Sequence, residues 1–165
     1  MMQALRSARG ALAIDMVIES DRWRRCDDAA TVARRAVMKA AAVLSTERAE
    51  LAIVLTDDTA IRALNRAWRG VDKATNVLSF PTQRSGETPP LLGDIVLAYE
   101  TIAREARGER KPFAHHVAHL AVHGFLHLLG YDHQRRADAE AMEEAERDIL
   151  RRLAIPDPYR AAAKA

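Results

Sequence analysis

The stretch His123-Gly-Phe-Leu-His127-Leu-Leu-Gly130-Tyr-Asp-His133 is where chemistry is most concentrated; all six histidines of the chain fall between residues 115 and 133. His123 and His127 are four residues apart, so on a helix both imidazoles leave the same face. Gly130 can adopt the left-handed backbone that ends such a helix, and the chain can then fold back to bring His133 to the same point. Three neutral imidazoles suit a zinc ion and leave its fourth position open to water. An open position marks a catalytic site rather than a closed structural one, and water there ionises near neutral pH.

The histidines and the glycine match the metzincin spacing H-E-x-x-H-x-x-G-x-x-H. The departure is at one position. Where a metalloprotease carries its general-base glutamate, this chain has Gly124. A peptidase without that base would be crippled, so the pattern argues for the metal and against proteolysis. Of the flanking histidines, His115 and His116 are expected to be solvated helix residues. His119, one turn before His123, is a possible fourth ligand, with a supporting or structural role favoured.

A second segment is unusually polar for the entry to a strand: Asn65-Arg-Ala-Trp68-Arg69-Gly70-Val-Asp72-Lys73-Ala-Thr75-Asn76. Arginine suits phosphate oxygens because its planar fork offers paired donors and keeps its charge. The competing reading makes Arg69 a surface cation at a helix C-terminus, where positive charge is favourable anyway. Thr75-Asn76 can equally be turn chemistry. Gly93-Asp94, inside an apolar run, suggests a bulge or a close backbone approach, and Asp94 can equally pair with a nearby cation.

Elements must position these groups. Residues 12–18 read as a strand, and Asp27-Asp28 as a helix start followed by Val32, Ala36, Val37, Ala40 and Leu44 at helical period. Residues 51–55 form a short buried strand. Thr56-Asp57-Asp58 caps a second helix with Ile61, Leu64 and Trp68 on one side, closed by Gly70. Residues 75–80 form a third strand stopped by Pro81, residues 82–90 a surface loop, and residues 91–98 a fourth strand. Three helices follow: 102–108, one opened by Pro112 and running to Gly130, and about 137–153. Acidic residues on the last, Asp138, Glu140, Glu143, Glu144, Glu146 and Asp148, read as a solvated face or a protein-contact surface, with the solvated face favoured. Strands early and helices late suggest an α+β or mixed α/β layer fold.

The chain has 165 residues, 48% of them hydrophobic and 29% charged, with a net charge of +2. That fits one domain, expected over residues 13–160, between a loose extension at 1–12 and a tail at 161–165. The mild basicity permits a polyanionic partner without demanding one. A single cysteine, Cys26, excludes an intramolecular disulfide and a thiolate-rich zinc site and suits a reducing cytosol. No apolar run reaches the roughly 20 residues of a membrane span, and the N-terminus lacks the apolar core of a secretory signal.

These segments resemble the YbeY family of bacterial zinc endoribonucleases. The resemblance rests on Asn65-x-x-x-Arg69-Gly-x-Asp72, Thr75-Asn-Val-Leu-Ser-Phe-Pro81, Leu92-Gly-Asp-Ile-Val96, the histidine motif and Asp157-Pro-Tyr159, in that order, over about residues 14–160. Ala74 stands where the family usually has Pro, and Trp68 where it has Tyr. The resemblance implies a small mixed four-stranded sheet packed with helices, and one zinc ion per chain on a helix of the C-terminal half and the turn after it. It implies metal-dependent, single-strand-specific cleavage of RNA, at the 3′ end of 16S rRNA precursor, in ribosome maturation and quality control. Partners would be the small ribosomal subunit or its assembly proteins, in the cytoplasm and not at a membrane. By motif position His123, His127 and His133 are the ligands and Arg69 the functional arginine. Asp72, Lys73, Thr75, Asn76, His119 and Asp132 are possible substrate-binding or supporting groups. No residue is an obvious general base. Two rivals remain: a ribosome-assembly factor whose zinc only braces the fold, and a metallopeptidase.

Overall fold

The structure is a computed structural model that describes residues 12–26, 28–46, 48–82 and 89–160. Most of the N-terminal extension, Asp27, the centre of the predicted 82–90 loop and the tail from 161 lie outside the described residues. Four strands, β1 (Ala13–Ile18), β2 (Glu50–Thr56), β3 (Val77–Pro81) and β4 (Leu91–Ala98), form one sheet in the order β1-β2-β4-β3. β1, β2 and β4 run parallel, and β3 pairs antiparallel to β4 along one edge. The helices are α1 (Ala29–Val43), α2 (Asp58–Arg69), α3 (Tyr99–Gly108), α4 (Phe113–Leu128) and α5 (Arg136–Arg152). The expected mixed four-stranded sheet is therefore present.

The two faces of the sheet bury different partners. Leu51, Ile53 and Leu55 of β2 and Ile95 and Leu97 of β4 pack with α1 and α4 in the main core. The alternate residues Leu78, Val96 and Ala98 face Ile61 and Leu64 of α2 in a smaller cluster. This is the period-2 alternation of a strand covered on both sides. α4 is apolar around most of its circumference, and Val117, Ala118, Leu120, Ala121, Val122, Phe125 and Leu126 are all buried. Such a helix belongs in an interior, and α4 touches α1, α3, α5, β3 and β4.

Several boundaries move for physical reasons. α3 begins at Tyr99, three residues before the expected start. Its N-terminus is capped from a distance: Asp58 Oδ1 accepts from the Thr101 backbone N–H and hydroxyl, while Glu100 Oε1 accepts from the Asp58 N–H. Two helix starts cap each other across more than forty residues, so the start of α3 has no local signal, while α2 also keeps its local Asp57 cap. At α1, Asp28 occupies the N-cap with φ 62° and makes no side-chain cap bond. α2 behaves as expected, with Asp57 Oδ1 accepting from the Ala60 N–H and Gly70 left-handed at φ 72°. Trp68, however, is exposed; Ile61 and Asn65 are the buried residues of α2. β3 starts two residues late at Val77 and takes in Pro81, which an edge strand tolerates.

Gly93 fulfils the expected close approach. The register slips between Glu50 and Leu51 opposite it, leaving Leu92 as the extra residue. Gly93 has φ 136°, and a Cβ there would lie 2.1 Å from the Phe80 carbonyl oxygen. Backbone cannot yield as a side chain can. Gly93→Ala is expected to cost about 2–4 kcal/mol, read as a lower urea midpoint at unchanged m-value.

Candidate metal centre and its surroundings

α4 ends one residue before Leu129, and Gly130 follows at φ 99°, with the Tyr131 N–H bonded to the Leu126 carbonyl at 3.0 Å. This left-handed stop turns the chain back over the helix. His133 thereby joins His123 and His127, and the three offer ring nitrogens that all lie within 4.8 Å of one another. The Nε2 atoms of His123 and His127 stand 3.2 Å apart. Two imidazole nitrogens bound tetrahedrally at ~2.0–2.1 Å to one zinc stand about 3.3 Å apart, so the donor set and spacing fit a single divalent cation.

Behind this group sits a carboxylate that the sequence left on the solvated face of the last helix. Glu146 is 0% exposed. Its Oε2 accepts from His123 Nδ1 at 2.6 Å, its Oε1 accepts from His119 Nε2 at 2.9 Å, and the Tyr159 hydroxyl donates to Oε1 as well. His119, His123 and Glu146 also form a compact group that offers ligand atoms. The 2.6 and 2.9 Å separations, however, are those of direct hydrogen bonds. With Nδ1–H given to Glu146, His123 presents a bare Nε2 to the cation position. This carboxylate–histidine pairing orients metal ligands generally. The signal was present in the sequence: Met142, Glu146, Ile149 and Leu150 lie at i, i+4, i+7 and i+8, so Glu146 occupies a core position among apolar residues.

Electrostatics follow from this packing. Burial pushes the Glu146 carboxyl up, but the bonds from His119, His123 and Tyr159 outweigh it and bring its pKa down to about 2. Burial and the adjacent Glu146 charge push the Tyr159 hydroxyl up, so it stays a donor. His127 is lowered by burial and then by His123 and His133, which keeps its ring neutral and free to bind a cation. The Asp157-Pro-Tyr159 segment is tied down through Arg147, whose guanidinium pairs with Asp157 at 3.2 Å and lies 5.4 Å from the Tyr159 ring centroid.

Gly124 faces the sheet. A Cβ there would stand 2.8 Å from Ile95 Cγ2 and 3.2 Å from Val77 Cγ2, while the Ser79 hydroxyl donates to the Gly124 carbonyl at 2.8 Å. A glutamate at this position would run into β3 and β4.

The other predicted residues scatter. Arg69 is exposed on the last turn of α2, and no hydrogen bond or ion pair joins it to the histidines among the described residues. Asp72 is gripped by Arg62 through two bonds of 2.8 and 3.2 Å. The Lys73 carbonyl accepts from the buried Asn65 amide, which braces the turn. Thr75 is half-buried beside it. Asn76 donates to Glu105, and its own Oδ1 accepts from the Val77 N–H. Asp132 accepts from the His133 N–H at 2.7 Å and shapes the turn that delivers that ring. Asp94 has no ion-pair partner among the described residues, and burial raises its pKa.

His116 is a correction. It is 4% exposed, not solvated, with Nε2 2.8 Å from Glu105 Oε1. Its Nδ1 is buried without a partner, which a neutral ring protonated on Nε2 tolerates best because no N–H is orphaned. α3 and the loop after it cover this side of α4 and bury the ring.

Two outcomes test these contacts. Glu146→Gln is expected to weaken metal affinity about 10–100-fold at unchanged helical content, measured by chelator competition with circular dichroism alongside. For His116, burial lowers the folded pKa against a partial opposing pull from Glu105. The unfolded ring protonates near 6.5, so its share of stability is complete above that pH and is lost as pH falls through the lower folded value. Denaturation midpoints should drop between pH 7 and 5, less steeply in His116→Gln.

Comparison with known proteins joins both informative segments to one family. A family model described as endoribonuclease YbeY matches residues 18–154. The endoribonuclease YbeY of Rhodopseudomonas palustris is 53% identical over 158 residues, covering 89% of this chain and 81% of that relative. The one from Methylocella silvestris is 54% identical over 150 residues, covering 88% and 85%. The solution structure of a Thermotoga maritima protein shares the fold at TM-score 0.52 and 21% identity, across 92% of this chain and 99% of that one. The matched span takes in Arg69, the three histidines and the buried Glu146 that steers one of them, and the chain belongs to the YbeY family of endoribonucleases.

Proposed function

We propose that this protein is a zinc-dependent, single-strand-specific endoribonuclease that matures the 3′ end of 16S rRNA, working in the cytoplasm with the small ribosomal subunit or its assembly proteins. One unit spanning residues 13–160 carries the activity. The observation that supports this most is the convergence of His123, His127 and His133 on one point while buried Glu146 holds the far nitrogen of His123. A zinc ion held by these residues would supply positive charge for a phosphoryl oxygen and acidify a water.

The residues of the chain divide the remaining work. His123, His127 and His133 hold the ion, one per chain. Glu146 keeps the His123 proton on Nδ1 so that Nε2 stays a ligand. Arg69, exposed and without an ion-pair partner among the described residues, binds the scissile phosphate and offsets the charge that grows on it in the transition state. Position 124 itself offers no acid–base group, so the attacking oxygen would come from water or from the RNA 2′-hydroxyl. The second route ends in a 2′,3′-cyclic phosphate.

The test combines three measurements on purified protein. Metal analysis is expected to find about one zinc per chain, and a chelator to abolish cleavage of single-stranded RNA. Arg69→Ala is expected to reduce cleavage by about 10²–10³-fold while metal content and thermal stability stay the same. A bracing-only role for zinc predicts the reverse, with RNA processing intact in Arg69→Ala and loss of folding in His127→Ala. Mapping product ends separates the two nucleophiles.

A further inference from the structure

Trp68 is 72% exposed, the highest value among the large hydrophobic side chains left exposed in the described residues. Among the described residues its one ring contact is edge-to-face with Phe80, at 6.2 Å between centroids and 66° between planes. Phe80 stands on β3, the edge strand, and the preceding residue Ser79 bonds across to Gly124, next to His123. Ser79 and Phe80 point to opposite faces of β3, so the aromatic pair lies on the α2 side of the edge strand and the helix that bears the histidines on the other.

Charge around the indole is unbalanced. Arg66 and Arg69 share the last turn of α2 with Trp68, and neither has an ion-pair partner among the described residues. Asp72, the carboxylate in the following turn, is already held by Arg62. Lys73 beside it adds another cation without an ion pair among the described residues. A flat aromatic face in water among free cations suits a single-stranded polynucleotide, whose bases stack while its phosphates meet the arginines. A protein partner calls for a contiguous apolar patch depleted of charge, and the turn of α2 that carries this ring also carries Arg66 and Arg69.

We propose that Trp68 is a base-stacking platform that seats one unpaired nucleotide of the RNA while Arg69 meets an adjoining phosphate. This rests on the RNA-cleaving role proposed above and adds a source for its strand preference. An unpaired base offers its face to the ring, whereas in a duplex that face is covered by its neighbours.

The chain has two tryptophans. The other, Trp23, is 1% exposed, with its Nε1–H bonded to the Thr56 carbonyl, so ligand-dependent quenching of intrinsic fluorescence reports on Trp68. The metal-loaded protein is titrated with a short single-stranded 2′-O-methyl oligoribonucleotide and with its duplex. Saturable quenching by the single strand alone is expected. Trp68→Ala should weaken binding about tenfold. Trp68→Phe should keep affinity within about threefold yet lose the quenching. Equal affinity in Trp68→Ala and the parent, or quenching that survives in Trp68→Phe, overturns the platform. A ring that docks a protein instead would also leave RNA affinity unmoved in Trp68→Ala. Quenching by the 2′-O-methyl strand while unmodified RNA of the same sequence stays uncut would defeat the nuclease proposal and leave the platform standing; cleavage of that unmodified RNA at the same rate by Trp68→Ala would do the opposite.

Discussion

A fully buried carboxylate has to be compensated, and in this protein the compensation organises the C-terminal half. Removing an ionised Glu146 from water would cost several kcal/mol if it stood alone. Donors from His119, His123 and Tyr159 surround it instead. Because those donors come from α4 and from the segment after α5, the same charge that sets the His123 tautomer also joins α5 and the Asp157–Tyr159 segment to α4. The candidate metal centre and the packing of the last helix therefore rest on one group.

α4 mediates between that charge and the sheet. Its opposite side is so close to β3 and β4 that only glycine fits at position 124. The helix is held between a sheet that admits no side chain there and a carboxylate that demands two imidazoles. This leaves the His123 and His127 faces little freedom to rotate, which is what a preformed ligand set requires. The missing protease glutamate has a packing explanation as well as a chemical one.

The surface near the edge strand is built on the other logic. Where α4 is apolar and closed, the end of α2 is cationic and open, with an indole in solvent and two arginines free of ion pairs among the described residues. The mutual capping of α2 and α3 through Asp58, Glu100 and Thr101 anchors the start of α2. Asn65 and the Arg62–Asp72 pair brace its end. The flanking polar residues of the Arg69 segment thus serve mainly to hold that turn.

By itself the sequence determined what depends on local spacing. Residues 123–133 contain the helical period, the glycine stop and the returning histidine, so convergence of the three imidazoles was legible from spacing alone. The same holds for the four strands, for the Asp57 and Gly70 caps, and for the close approach at Gly93, whose absent side chain is the signal. The tertiary structure decided what surrounds the charged or polar residues inside, although the apolar period of Met142, Ile149 and Leu150 already marked the Glu146 position. Glu146 sits in an acidic run and His116 in a polar pair, and each is buried by elements distant in the chain: α4 and Tyr159 cover the first, α3 the second. Trp68 went the other way, apolar in composition yet left in water where α2 reaches the sheet edge. Burial is a property of what packs against a residue, and a one-dimensional pattern carries that only when the partner is a neighbour in sequence.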